Sequence, residues 1–124
     1  MAIYTNLPIY KSAYSLLLAL TRISPNLPRD CRYSIGQEVR NKAMEIILLV
    51  YKANKVRGKT DVISQMQDCL LQAQVYIRVM CDLKYISEGC YINLTEYTTS
   101  ISKQLSAWYK SECKKKSDDT VNEI

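Results

Sequence analysis

Breakers of regular structure are scarce in this chain, and their placement constrains the fold more than any other feature. The 124 residues include only 3 Gly and 3 Pro. That is too little turn material for a β-sandwich built from many hairpins. The stretches between the breakers carry apolar residues at helical spacing. Pro8 suits the first turn of a helix, with Asn6 nearby as a cap. Ile9, Ala13, Leu16, Leu17 and Leu20 make its inner stripe, and Pro25 and Pro28 end it. Ser24 to Arg32 reads as a loop. Ser34, with Gln37 three residues on, has the spacing of a capping box for a second helix.

The second helix is apolar almost all round. Ile35, Val39, Ala43, Ile46, Ile47, Val50 and Asn54 form one stripe, and Met44, Leu48 and Tyr51 form another. Such a helix is central to a bundle or shared with another subunit. It ends near Lys55, with Gly58 beyond. Thr60 or Asp61 caps a third helix, with Val62 or Ile63, Met66, Cys69, Leu70, Ala73, Tyr76, Ile77 and Met80 inward, running to about Tyr85. Ser87 opens a fourth, with Tyr91, Leu94, Thr98, Ile101, Leu105 and Trp108 on its buried face. Lys114 to Lys116 sit where cations complement a helix C-terminus. Four helices joined by short connections predict an all-α, antiparallel up-down four-helix bundle over residues 1–116. Residues 117–124 read as an acidic, disordered tail.

The length suits one domain. No basic segment followed by an apolar run opens the chain, and Leu16 to Leu20 is far too short to cross a bilayer. The five cysteines, Cys31, Cys69, Cys81, Cys90 and Cys113, include no Cys-x-x-Cys. Small, reduced thiols in a cytoplasmic protein are the reading that follows.

The chain has no His. That removes a His general base, a Ser-His-Asp triad, a Cys-His dyad and any His-bearing metal site. Glu38 with Glu45, and Asp61 with Asp68, share helix faces seven residues apart, which is not the Glu-x-x-His pattern of di-metal bundles. They read as solvated acids or ion pairs, Glu38 with Lys42 being an i,i+4 pair. No phosphate-binding glycine loop is present. No enzyme, cofactor or metal is expected.

The basic residues say more. Formal charge is +5 overall. Between positions 22 and 59, nine bases oppose three acids. Arg22, Arg29 and Arg32 lie around one connection, and Lys52, Lys55, Arg57 and Lys59 around the next. In an antiparallel bundle these groups fall at opposite ends of the second helix. Two readings stay open: contacts to phosphate, or helix-terminal cations that complement dipoles. Arg78, the lone base between Thr60 and Leu83, reads as an ion pair with Asp82, or as facing a polyanion or a subunit seam. Ten Tyr and no Phe suit core and subunit contacts. Base stacking needs exposed rings.

Several segments together carry a family likeness. They are Leu-Pro-Ile-Tyr-Lys-Ser-Ala-Tyr at residues 7–14, Arg-Tyr-Ser-Ile-Gly at 32–36, and the helix ending Val-Tyr-Lys-Ala-Asn at 50–54. Asp-Leu-Lys-Tyr-Ile-Ser at 82–87 and Lys-Gln-Leu-Ser-Ala-Trp at 103–108 complete them. In that order they resemble the small bacterial four-helix-bundle proteins of the 23S ribosomal RNA intervening-sequence type. They are also similar to the accessory variability determinant (Avd) proteins of diversity-generating retroelements. The resemblance spans about residues 7–111 and includes no catalytic motif. It implies a homopentamer, binding of RNA or DNA in the retroelement branch, and association there with a reverse transcriptase. The chain departs from the family in its moderate charge, its acidic tail, and Ser106 and Ala107 before the Trp where glycine is often found.

The expectation is therefore a non-enzymatic, homo-oligomeric bundle that binds nucleic acid through Arg22, Arg29, Arg32, Lys52, Lys55, Arg57, Lys59 and Arg78. The alternative is a structural adaptor that binds only protein, through Tyr and apolar surfaces.

Overall fold

The computed structural model describes residues 4–122, with side chains from Thr5 to Lys115. Five helices follow in order: α1 (Pro8–Ile23), α2 (Arg29–Arg32), α3 (Ile35–Ala53), α4 (Thr60–Asp82) and α5 (Glu88–Asn122). No strand occurs among the described residues. The four long helices are the expected antiparallel bundle. The chain reverses in the short connections, so α3 packs on α4 and α4 on α5, and α1 closes the ring against both α3 and α5. Gln104 of α5 donates to the Ser12 hydroxyl of α1 at 2.8 Å, tying the first helix to the last.

The inward stripes are those the spacing predicts. Leu16, Leu20, Val39, Ile46, Val50, Ile63, Met66, Ile77, Met80, Leu94, Ile101 and Leu105 are fully buried. Thr98 is buried among them, and its hydroxyl donates to the Thr95 carbonyl at 3.1 Å. Trp108 and Tyr91 pack at the edge of this core, half-buried.

The connection between the first two long helices is more ordered than a loop. A 3-10 turn at Ser24–Asn26 leads into α2, a single helical turn. Leu27 and Cys31 are buried beneath it. Gly36 makes this elbow possible. A Cβ there would lie 2.9 Å from the Cys31 carbonyl oxygen and 3.1 Å from Leu27 Cδ1, so no larger residue fits unless the backbone moves.

The helix ends depart from the expected caps. Leu7, not Asn6, is the N-cap of α1, and no side chain caps it. Ser34 makes no cap bond to α3, so the capping box with Gln37 does not form. Its hydroxyl turns back onto the Asp30 carbonyl, which α2 brings within reach. Ser87 does cap α5, accepting from the Cys90 N–H at 3.1 Å. The C-terminus of α4 stops at Asp82 rather than Tyr85, because Lys84 takes a left-handed conformation with φ 62°. Its N–H reaches the Cys81 carbonyl at 3.0 Å, and the Tyr85 N–H reaches Met80 at 2.8 Å. This pair of bonds is the Schellman pattern that closes a helix.

The longest helix is α5, with 35 residues against 23 in α4. At 1.5 Å per residue it is about 18 Å longer. It takes in positions 117–122, the first part of the expected tail; residues 123–124 lie outside the described residues. Lys114 and Lys115 therefore sit well before its last turn, which holds no base, so the role expected of them at a helix end is not theirs.

Candidate nucleic-acid interface

The fold gathers the candidate cations at its two ends. One end holds the C-termini of α1 and α4, the N-termini of α3 and α5, and the α2 elbow. The other holds the loop at 54–59, the N-termini of α1 and α4, and the distal part of α5. Arg22, Arg29, Arg32 and Arg78 fall toward the elbow end. Lys52, Lys55, Arg57 and Lys59 fall at the loop end.

Within each group, some cations are engaged in the fold and others are not. Arg32 is a backbone clamp. Its Nε donates to the Ser24 carbonyl at 3.1 Å, and its Nη2 to Pro25 at 2.9 Å and Leu27 at 3.1 Å. The Ser24 carbonyl also accepts the Leu27 N–H that closes the 3-10 turn, at 3.2 Å, and the forked guanidinium reaches all three acceptors together. Arg40, which was not among the candidates, extends the clamp to the Ser24 hydroxyl at 2.8 Å and the Arg32 carbonyl at 3.1 Å. Lys59 does the same work at the loop end. Its ammonium donates to the Ala53 carbonyl and, at 2.8 Å, to that of Val56, closing the end of α3. Arg32 and Lys59 thus donate to carbonyls of the fold itself. Arg78 pairs with Asp82 at 3.1 Å and lies 5.9 Å from the centre of the Tyr91 ring. Both members of that ion pair are exposed, so it contributes little to stability.

Arg22, Arg29, Lys52, Lys55 and Arg57 are exposed and form no ion pair among the described residues. Lys55 rests over the Tyr51 ring at 4.1 Å. Lys52, Lys55 and Arg57 crowd the end of α3, and no acid lies between Glu45 and Asp61. The expected pair of Lys42 with Glu38 does not form; Lys42 bonds Glu45 instead at 3.3 Å.

Two features escaped the reading of the sequence. Tyr33 is exposed on the elbow beside Arg32, whose guanidinium lies 5.9 Å from its ring centre. Only the short α2 helix turns it outward, and no periodicity signals so brief an element. The second feature is a groove of about 370 Å³ between α3 and α4, lined by Lys42, Glu45, Leu48, Leu49, Cys69 and Gln72 among others. In it the Cys69 thiol donates to Glu45 Oε2 at 3.1 Å. This bond, and then Lys42, holds the Glu45 carboxyl below its ordinary range. Burial, and then Glu45, pushes the Cys69 thiol up to about 11. A thiol so held stays protonated at neutral pH and is a poor nucleophile.

The second stripe of α3 remains outside. Met44, Leu48 and Tyr51 are 44%, 59% and 42% exposed. On α4, Leu71 and Val75 are exposed one turn apart. No helix of the described residues is long and apolar enough to cross a membrane. No protein-family model matches the chain, and no curated protein matches it.

Proposed function

We propose that the protein is a non-enzymatic, cytoplasmic, homo-oligomeric helical bundle that binds RNA or DNA through the free cations at its ends. The observation that carries this reading is the trio Lys52, Lys55 and Arg57, exposed and without ion pairs beside a helix end already closed by Lys59. Once Lys59 serves the carbonyls, the other three are available to phosphate. Arg22 and Arg29 supply a second set at the elbow end. A homo-oligomer, five protomers being the number the family likeness implies, multiplies a modest patch by avidity. That likeness also supplies the two candidate settings: an accessory to a reverse transcriptase, or a product of a ribosomal RNA intervening sequence.

Fluorescence anisotropy with a generic RNA and a generic DNA duplex at several salt concentrations tests the reading. The affinity is expected to fall linearly in a log–log plot against salt. Replacing Lys52, Lys55 and Arg57 with Glu is expected to flatten that slope by about 1 for each phosphate contact removed. Absence of binding at low salt, or a slope the triple variant leaves unchanged, sinks the assignment to this loop.

The exposed apolar residues of α3 and α4 favour a second reading, an adaptor that docks only protein. Apolar docking persists as salt rises, so the same titration separates the two.

A further inference from the structure

We infer that the elbow end takes single-stranded nucleic acid, with one base stacked on the Tyr33 ring and the adjoining phosphate on Arg29. This rests on the nucleic-acid reading above and narrows it to a class of ligand. Tyr33 is 65% exposed, more than any other large apolar or aromatic side chain among the described residues. A ring so open to water gains by being covered. It is also held in place. Its backbone N–H bonds the Arg29 carbonyl at 3.3 Å. The Arg32 guanidinium over the ring is itself pinned by its bonds to Ser24, Pro25 and Leu27. One face of the ring is thus backed by an immobilised cation, and little motion is lost when a base meets the other.

Arg29 lies four residues before Tyr33, so the two are neighbours on one side of the helical turn. Arg29 is exposed and makes no ion pair, and Arg22 lies at the same end at the close of α1. From position 22 to 34, three arginines face one acid, Asp30. Base–aromatic stacking tolerates any sequence, because every base has a π-face. A duplex offers no such face along its length. The ring therefore contributes to single-strand binding and adds nothing for a duplex.

The test compares a single-stranded RNA, a single-stranded DNA of the same sequence and the matching DNA duplex. Each is titrated by anisotropy against the full chain and against Tyr33→Ala, Tyr33→Phe and Arg29→Glu. Circular dichroism checks that each variant stays folded. Tyr33→Ala is expected to weaken the single strands roughly tenfold, within the range for one stacked base, and to leave the duplex unchanged. Tyr33→Phe should retain binding, and Arg29→Glu should lower it. In a Tyr33→Trp variant, the single strand should quench a tryptophan signal that the duplex leaves alone. If RNA and DNA strands both respond, the shared base chemistry is the ligand; if one alone does, the sugar selects. Equal effects of Tyr33→Ala on strand and duplex overturn the inference. So does a change in solution mass with strand binding intact, since that makes Tyr33 a subunit contact. If the unaltered chain binds none of the three at low salt, the broader nucleic-acid reading fails instead.

Discussion

Lys84 is the one non-glycine residue with positive φ among those described, at 62°. A side chain in that region brings its Cβ against the following carbonyl, at a cost of about 1–2 kcal/mol. The turn needs the conformation, because two backbone bonds that close α4 depend on it. Replacing Lys84 with Gly should therefore raise stability by roughly 1 kcal/mol, allowing for the greater freedom glycine has when unfolded. Chemical denaturation reads this directly as a higher midpoint with an unchanged slope. A lower midpoint would mean that the lysine side chain contributes more than its backbone strain removes. At the same scale, Cys69 was legible from its spacing as a core position on α4. Its hydrogen bond to Glu45 was not, since 24 residues separate them and only the packing of α3 on α4 joins them.

Among the elements, the elbow between α1 and α3 is the most specialised. Its carbonyls point at one guanidinium, and Gly36 lets α3 start against the Cys31 backbone. Arg32→Ala should cost about 2 kcal/mol, because two part-buried carbonyls and an exposed one lose a charged donor at once. Arg32→Lys should recover only part of that, since an ammonium has no fork to span the three carbonyls. Thermal or urea unfolding of the two variants separates these outcomes, and full rescue by Lys would show that charge alone suffices. The bases of this segment were legible in the sequence, but their division of labour was not. Pro25 and Pro28 signalled where the first helix stops, and they did not signal that a further helical turn follows. The expected cap at Ser34 failed for the same reason: α2 supplies a nearer acceptor for its hydroxyl than α3 supplies a donor.

At the scale of the molecule, α3 is apolar on more of its circumference than one bundle covers. Its inner stripe fills the core, while Met44, Leu48 and Tyr51 face outward. An outward apolar stripe on a helix of this length suits a contact between copies. If the proposed homo-oligomer uses it, Met44→Glu with Leu48→Glu should reduce the mass in solution to that of one protomer while the helical signal persists. Light scattering after size exclusion checks this. A monomeric wild-type chain, or a double variant that keeps its mass, would remove α3 from the proposed interface. Loss of the oligomer should also weaken nucleic-acid binding without touching a single basic residue, because the patches would no longer act together.

The number of long helices, their inner faces and the antiparallel order were set by local pattern. Apolar residues recur with the helical period, and Pro and Gly fall where the chain must turn. These are properties of short stretches, and a sequence displays them openly. Which cations remain free was decided by tertiary structure alone. Arg32 and Lys59 look no different in sequence from Arg29 and Lys55. They became structural because the folded chain turns the carbonyls of a helix end or tight turn toward them, and a backbone acceptor there takes the nearest donor. What remains exposed at the two ends, Arg22, Arg29, Lys52, Lys55 and Arg57 together with the Tyr33 ring, is defined by what the backbone did not need.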